Sequence, residues 1–143
     1  MILSDTAYGQ GELLISPIQQ AIFFSPFANE GELVYPVLEL NQEDPEVSQP
    51  VTSESANIIT ELLIQVAESP NGTAHLLHDS PLTLAAKTGT TEVQSAENEG
   101  ENNSDGFLLV FDADAHTFLS IILIEDSTGS QVVEQFAPLL EQH

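Results

Sequence analysis

Hydrophobic and polar positions along the 143 residues divide the chain into helical and extended stretches. Ser16-Pro17 reads as an N-cap followed by the first helical position. After it, Ile18, Ala21, Ile22 and Phe24 recur at helical spacing. Pro26 lacks the N–H that a helix interior needs, so the last turn is expected to kink or stop there, before the stop signal Asn29-Glu30-Gly31. Leu33 to Leu40 predicts a short extended segment held at a sheet edge by Pro36, and Asn41 to Gln49 an acidic loop. Ser53 can cap a second helix whose Ile58, Ile59, Leu62, Leu63 and Val66 form one apolar stripe. Ser69-Pro70-Asn71-Gly72 ends it.

Leu82, Leu84 and Ala86 alternate with Thr83, Ala85 and Lys87, predicting a strand with one buried face. Glu97 to Asp105 is a polar loop. Phe107 to Phe111 and Phe118 to Ile124 read as strands joined by the turn Asp112-Ala113-Asp114-Ala115-His116. Gly129-Ser130 opens a final helix with Val132, Val133, Phe136, Leu139 and Leu140 on its apolar side, interrupted at Pro138. Helix, helix, three antiparallel strands, helix is an α+β order, expected to form one domain over residues 1–143.

Charge changes the picture. There are 23 Asp and Glu against one Lys and no Arg, a formal net charge of −22. Average usage would give roughly 17 basic residues. Such a surface disfavours nucleic acid, anionic lipid and phosphate. The missing basic residues suggest deliberate removal from a natural parent, with Lys87 spared. Cysteine is absent, which excludes disulfides, thiol catalysis and Cys-ligated metal. No run of apolar residues is long enough to span a membrane, and Met1-Ile2-Leu3-Ser4-Asp5 does not read as a signal peptide, so a soluble chain is expected.

The candidate chemistry is Lys87-Thr88-Gly89-Thr90 at a strand end. Hydroxyls beside an ammonium suit a carboxylate, and Gly89 permits close approach. With it stand Tyr8-Gly9-Gln10-Gly11-Glu12-Leu13-Leu14-Ile15-Ser16-Pro17-Ile18-Gln19-Gln20-Ala21, then Phe27-Ala28-Asn29-Glu30-Gly31 with Pro36, the turn Asn71-Gly72-Thr73-Ala74, and Ala137-Pro138. In this order and spacing the chain resembles the C-terminal part of a class B penicillin-binding protein transpeptidase domain, with the look of the low-affinity, resistance-type Gram-positive branch. The resemblance implies a partial serine β-lactamase-like fold, an antiparallel three-stranded sheet packed with helices. The family's enzymes cross-link peptidoglycan, are acylated by β-lactams, and work outside the cytoplasm on a membrane anchor. It further implies that Lys87 and Thr88 face a substrate or antibiotic carboxylate and that the Thr90 N–H is one of two oxyanion donors. Two departures, Ala86 for the usual Gly and Gly106-Phe107-Leu108 for an aromatic pair, bear on the packing beside the motif.

The nucleophile is the missing part. The family uses S-x-x-K, but three residues before the single Lys stands Leu84. Ser55-Ala56-Asn57 matches S-x-N in letters but lies after the Gly9-Gln10-Gly11 segment, so it is read as a helix turn. Without a covalent acceptor the chain alone is expected to be inactive. A β-lactam or peptidoglycan stem peptide would bind only together with the missing N-terminal part. A complementary chain or a second copy could cover an unpaired sheet edge. The alternative is an acidic, basic-residue-depleted scaffold, fusion partner or split-protein half with no enzymatic role.

Weaker signals have bland readings. Asp112, Asp114 and His116 begin like a calcium loop but lack its later ligands, with Leu123 at the twelfth position. His75 and His78 read as a surface pair, and Gly9-Gln10-Gly11 lacks the third glycine of a nucleotide loop. No metal or cofactor is expected.

Overall fold

A computed structural model describes residues 15–37, 46–93 and 103–140. The Tyr8–Leu14 portion of the resemblance, the start of the 97–105 loop, and most of the acidic 41–49 loop lie outside the described residues.

Helix α1 spans Pro17–Ala28. Its start is a capping box. The Gln19 N–H donates to Ser16 Oγ (3.3 Å) and the Ser16 N–H donates to Gln19 Oε1 (2.8 Å). The helix runs two residues past Pro26 instead of stopping there. The carbonyl that Pro26 leaves without a donor is that of Ile22, and the Ser25 hydroxyl donates to it instead (2.9 Å). Ser25 Oγ in turn accepts the Val34 N–H (3.1 Å), fastening strand β1 (Leu33–Val34) to the helix end. Strand β2 (Val47–Ser48), which falls in the expected loop, pairs antiparallel with β1.

Helix α2 spans Ser53–Glu68, and its cap is Thr52, not Ser53: Thr52 Oγ1 accepts the Ser55 N–H (3.2 Å). The expected apolar stripe is buried only in part: Leu63 lies in one core and Val66 packs half-buried against another. Ile58 and Leu62 are 54% and 61% exposed, while Ala56, Leu63 and Ala67 are buried. Two alanines let the helix lie close along strand β3, with Leu63 between them in the core, while Ile58, Ile59 and Leu62 turn outward.

The main sheet has the order β3 (Leu84–Val93), β4 (Asn103–Asp112), β5 (Leu119–Ile124), all antiparallel. Ala86 sits opposite Val110 and Leu108 opposite Ile122. Both faces are covered. Leu84, Ala86, Leu108 and Val110 join Val132 and Val133 of helix α3 (Gly129–Leu140) in one core. Ala85, Leu109 and Phe111 join Leu63 and Ala28 in a second core on the other face. Ala85, expected on an exposed face with Lys87, is therefore fully buried. Strand β4 starts four residues before the expected Phe107, because Asn103, Ser104 and Asp105 pair with Val93, Glu92 and Thr91. Helix α3 opens with a second capping box, Thr128 with Gln131, and continues through Pro138 to Leu140.

The β4–β5 turn is built on Asp112, only 1% exposed. Its carboxylate accepts the N–H groups of Asp114 and Ala115 (each 3.1 Å) and the Thr117 hydroxyl (2.7 Å). Burial pushes its pKa up, but the bonds from the Thr117 hydroxyl and from the backbone N–H groups of Ala115, Asp114 and Thr117 outweigh it. The carboxyl is held below its ordinary value of 3.8. The order is α+β, with three helices and two antiparallel sheets among the described residues.

Candidate functional site

Lys87-Thr88-Gly89-Thr90 lies in the middle of β3, an edge strand that pairs only with β4 among the described residues. Strand alternation sends Lys87 and Gly89 to one face and Thr88 and Thr90 to the other. Lys87 is exposed, and its ammonium donates to the Thr88 carbonyl. Gly89 faces the Phe107 ring so closely that a Cβ there would lie 1.8 Å from Phe107 Cε1. Phe107 thus packs tightly against the motif, and Ala86 is fully buried without opening a gap.

On the other face the N-terminus of α3 closes onto the motif. The Gly129 N–H donates to Thr90 Oγ1 (3.0 Å). A Cβ on Gly129 would sit 2.8 Å from the Gly89 carbonyl oxygen and 3.0 Å from Thr88 Cβ. Gly106, opposite Thr90, is equally confined, since a Cβ there would meet the Thr128 carbonyl at 2.5 Å. Two glycines therefore permit a helix end, with its partial positive charge, to rest against the two motif threonines.

The Asn71-Gly72-Thr73-Ala74 turn approaches from the α2 side. Thr73 Oγ1 lies 2.7 Å from Thr88 Oγ1. The turn is fixed by Ala74 N–H donating to the Val66 carbonyl (3.1 Å) and Gly72 N–H to Ser69 (2.8 Å). An open groove of about 370 Å³ runs between α2 and this turn, lined by Leu62, Val66 and Thr73 among others. The polar groups gathered around the motif are thus one ammonium, three hydroxyls and a helix N-terminus, a set suited to an anion of carboxylate type.

The other sequence candidates fall elsewhere. The Ser55 hydroxyl accepts from Thr52 Oγ1 (3.0 Å) in the cap of α2, and Ala56 is fully buried, so Ser55-Ala56-Asn57 is a helix turn. Asp112 is committed to its own turn, and Asp114 accepts the Thr83 hydroxyl (2.6 Å). His75 and His78 stack with ring centroids 4.2 Å apart around a short 3₁₀ turn (His75–Leu77), and His78 Nε2 is 3.1 Å from Asp79 Oδ1. Among the described residues no three His, Asp or Glu side chains gather as a metal site, and no helix is long and apolar enough to cross a membrane. Sequence reasoning missed Thr73 and Gly129. The Asn71-Gly72-Thr73-Ala74 turn is visible in the sequence, but the reach of Thr73 to Thr88 exists only after folding.

The chain is 32% identical over 143 residues to penicillin-binding protein 3 of Bacillus subtilis (strain 168), covering 96% of this chain and 21% of the relative. It is 29% identical over 108 residues to the peptidoglycan D,D-transpeptidase MrdA of Salmonella typhimurium, covering 66% of this chain and 17% of that protein. The chain thus spans about a fifth of the length of these curated relatives. Its fold superposes on the complex between penicillin-binding protein PBP2 and MreC from Helicobacter pylori with a TM-score of 0.74 and 25% identity, covering 96% of this chain and 26% of that one. A transpeptidase domain of Burkholderia pseudomallei penicillin-binding protein 3 matches at a TM-score of 0.64 and 16% identity, over 87% of this chain and 43% of the other. Residues 2–141 match the family profile described as the penicillin binding protein transpeptidase domain, and the chain belongs to that family.

Proposed function

We propose that this chain supplies the carboxylate-binding wall of a D,D-transpeptidase cleft and cannot carry out acyl transfer alone. The observation that carries the reading is the Lys87-Thr88-Gly89-Thr90 edge strand backed by the α3 N-terminus. Lys87 and the Thr88 hydroxyl would hold the carboxylate of a peptide stem or β-lactam. The Lys87 ammonium on the Thr88 carbonyl marks the outward set of this edge strand, and by alternation the Thr90 N–H belongs to the same set, where it can donate to a developing oxyanion. The attacking hydroxyl and its base must come from outside these 143 residues, because no Ser-x-x-Lys occurs among them. Ile58, Leu62 and Leu123 are each about half exposed or more, and among the described residues β5 pairs on one side only. These surfaces fit a domain that continues beyond this chain.

A second reading, an acidic scaffold or split-protein half with no enzymatic role, is favoured by one fact, the single basic residue. Two measurements decide. Fluorescent penicillin should leave no covalent adduct on the chain alone, and an ester on any serine would overturn the missing-nucleophile argument. Penicillin G at millimolar concentration should shift the backbone amides of Lys87 to Thr90, whereas unmoved amides would favour the scaffold.

A further inference from the structure

The Thr73 and Thr88 hydroxyls share one hydrogen bond, and either oxygen can be the donor. Each hydroxyl has one proton. If Thr88 donated to Thr73, it would present only lone pairs to an approaching carboxylate. If Thr73 donates, the Thr88 proton stays available. The neighbouring threonine already shows this polarity: Thr90 Oγ1 accepts from the Gly129 N–H, a group that can only donate, so the Thr90 proton is not needed there. Thr88 is 8% exposed, so an unpaired hydroxyl would be costly. Thr73 is delivered by a rigid segment, since Ala74 is fully buried and a Cβ on Gly72 would lie 2.2 Å from the Val66 carbonyl oxygen.

We infer that Thr73 is a positioning residue for the motif: by donating to Thr88 Oγ1 it fixes that side chain and leaves the Thr88 proton for the ligand's carboxylate. This rests on the carboxylate reading given above and extends the donor set to the connection between α2 and β3.

Thr73 is exposed, so small substitutions there leave the cores intact. Thr73→Val keeps the shape and removes the hydroxyl, and Thr73→Ser keeps the hydroxyl. The first readout needs no ligand: three-bond couplings from Thr88 Cγ2 to backbone N and carbonyl carbon in the labelled full chain. Wild type and Thr73→Ser should show one Thr88 rotamer, and Thr73→Val an average. The second readout is the titration of the Lys87–Thr90 amides with penicillin G and with its methyl ester. Thr73→Val should weaken penicillin G roughly tenfold, Thr73→Ser by less than about twofold, and the ester should respond equally in all three. A single unchanged Thr88 rotamer in Thr73→Val refutes the positioning role whatever the ligand does. A wild-type chain indifferent to penicillin G refutes the carboxylate reading itself and the donor role with it, while the rotamer result still decides what Thr73 does to Thr88.

Discussion

Gly129→Ala is the sharpest test of how α3 is seated on the motif. Gly129 does not occupy the left-handed region, so backbone strain plays no part and the added methyl group is the whole perturbation. That methyl would sit 2.8 Å from the Gly89 oxygen, 3.0 Å from Thr88 Cβ and 3.1 Å from the Gly89 nitrogen. Comfortable carbon contacts begin near 3.5 Å, so the helix end must retreat by roughly 0.5 Å or more. None of these atoms is the far end of a flexible side chain, so the neighbours cannot simply swing away. Retreat also stretches the 3.0 Å bond from Gly129 N–H to Thr90 Oγ1. Overpacking costs about 1–3 kcal/mol and the weakened hydrogen bond about 1 kcal/mol, against a gain of at most about 1 kcal/mol from replacing glycine in a helix. The net expectation is a loss of about 1–3 kcal/mol. With a urea m-value of about 1.5 kcal/mol/M, the unfolding midpoint should fall by roughly 1–2 M at unchanged m. Ser130→Ala, one residue on and exposed, is the control and should stay within about 0.5 kcal/mol of wild type. A Gly129→Ala chain as stable as wild type would mean that the helix does not press on the motif strand.

Two further expectations concern charge. Asp112→Ala removes the acceptor of three hydrogen bonds in the β4–β5 turn and should cost about 1–3 kcal/mol at pH 7. The folded pKa of Asp112 is depressed, so its contribution is present above the unfolded value near 3.8 and is lost as pH falls through the folded value. Urea midpoints of the two proteins should therefore converge below about pH 3.8, and a constant gap down to pH 2 would contradict the assignment. A net charge of −22 should make the fold salt-hungry. Raising NaCl from 0.01 to 1 M shortens the screening length from about 30 to about 3 Å, so the thermal midpoint should rise by several degrees, and a flat or falling midpoint would show that the carboxylates do not repel as supposed.

What the sequence made legible was local. The Ser16-Pro17 cap and the turn around Asp112 depend on neighbours within five residues, and both lie where the pattern puts them. What it hid depended on partners far along the chain. In α2 the stripe holds at Leu63, but Ile58, Ile59 and Leu62 face outward while the small Ala56 and Ala67 are buried and let the helix lie close to β3. Periodicity ranks a helix face by hydrophobicity and cannot see that distance. Ala85 looks like an outward position beside Lys87 until α1 and Leu63 cover the second face of the sheet. Pro26 reads as a kink or stop and Pro138 as an interruption, yet both helices pass them, since a proline in a last turn removes one bond and Ser25 repairs the one at Ile22. The motif itself was plain in the letters, but its two supports, Thr73 and Gly129, come from 15 and 39 residues away.

On the proposed reading, the same geometry would let a site for an anion persist on so acidic a chain. Beyond a screening length of about 10 Å at 0.1 M salt, a carboxylate ligand sees little of the net charge, and inside that distance it meets whatever lies nearest. At the motif, the nearest groups are Lys87, the Thr88 and Thr90 hydroxyls and the end of α3. Three of these four are dipoles, which add nothing to the charge count. A chain can therefore lose every other basic residue without losing this cluster, provided that the hydroxyls stay pointed and the helix end stays close. That places the burden on positions that carry no charge at all: the two glycines that let α3 approach, and the threonine that holds another threonine in place.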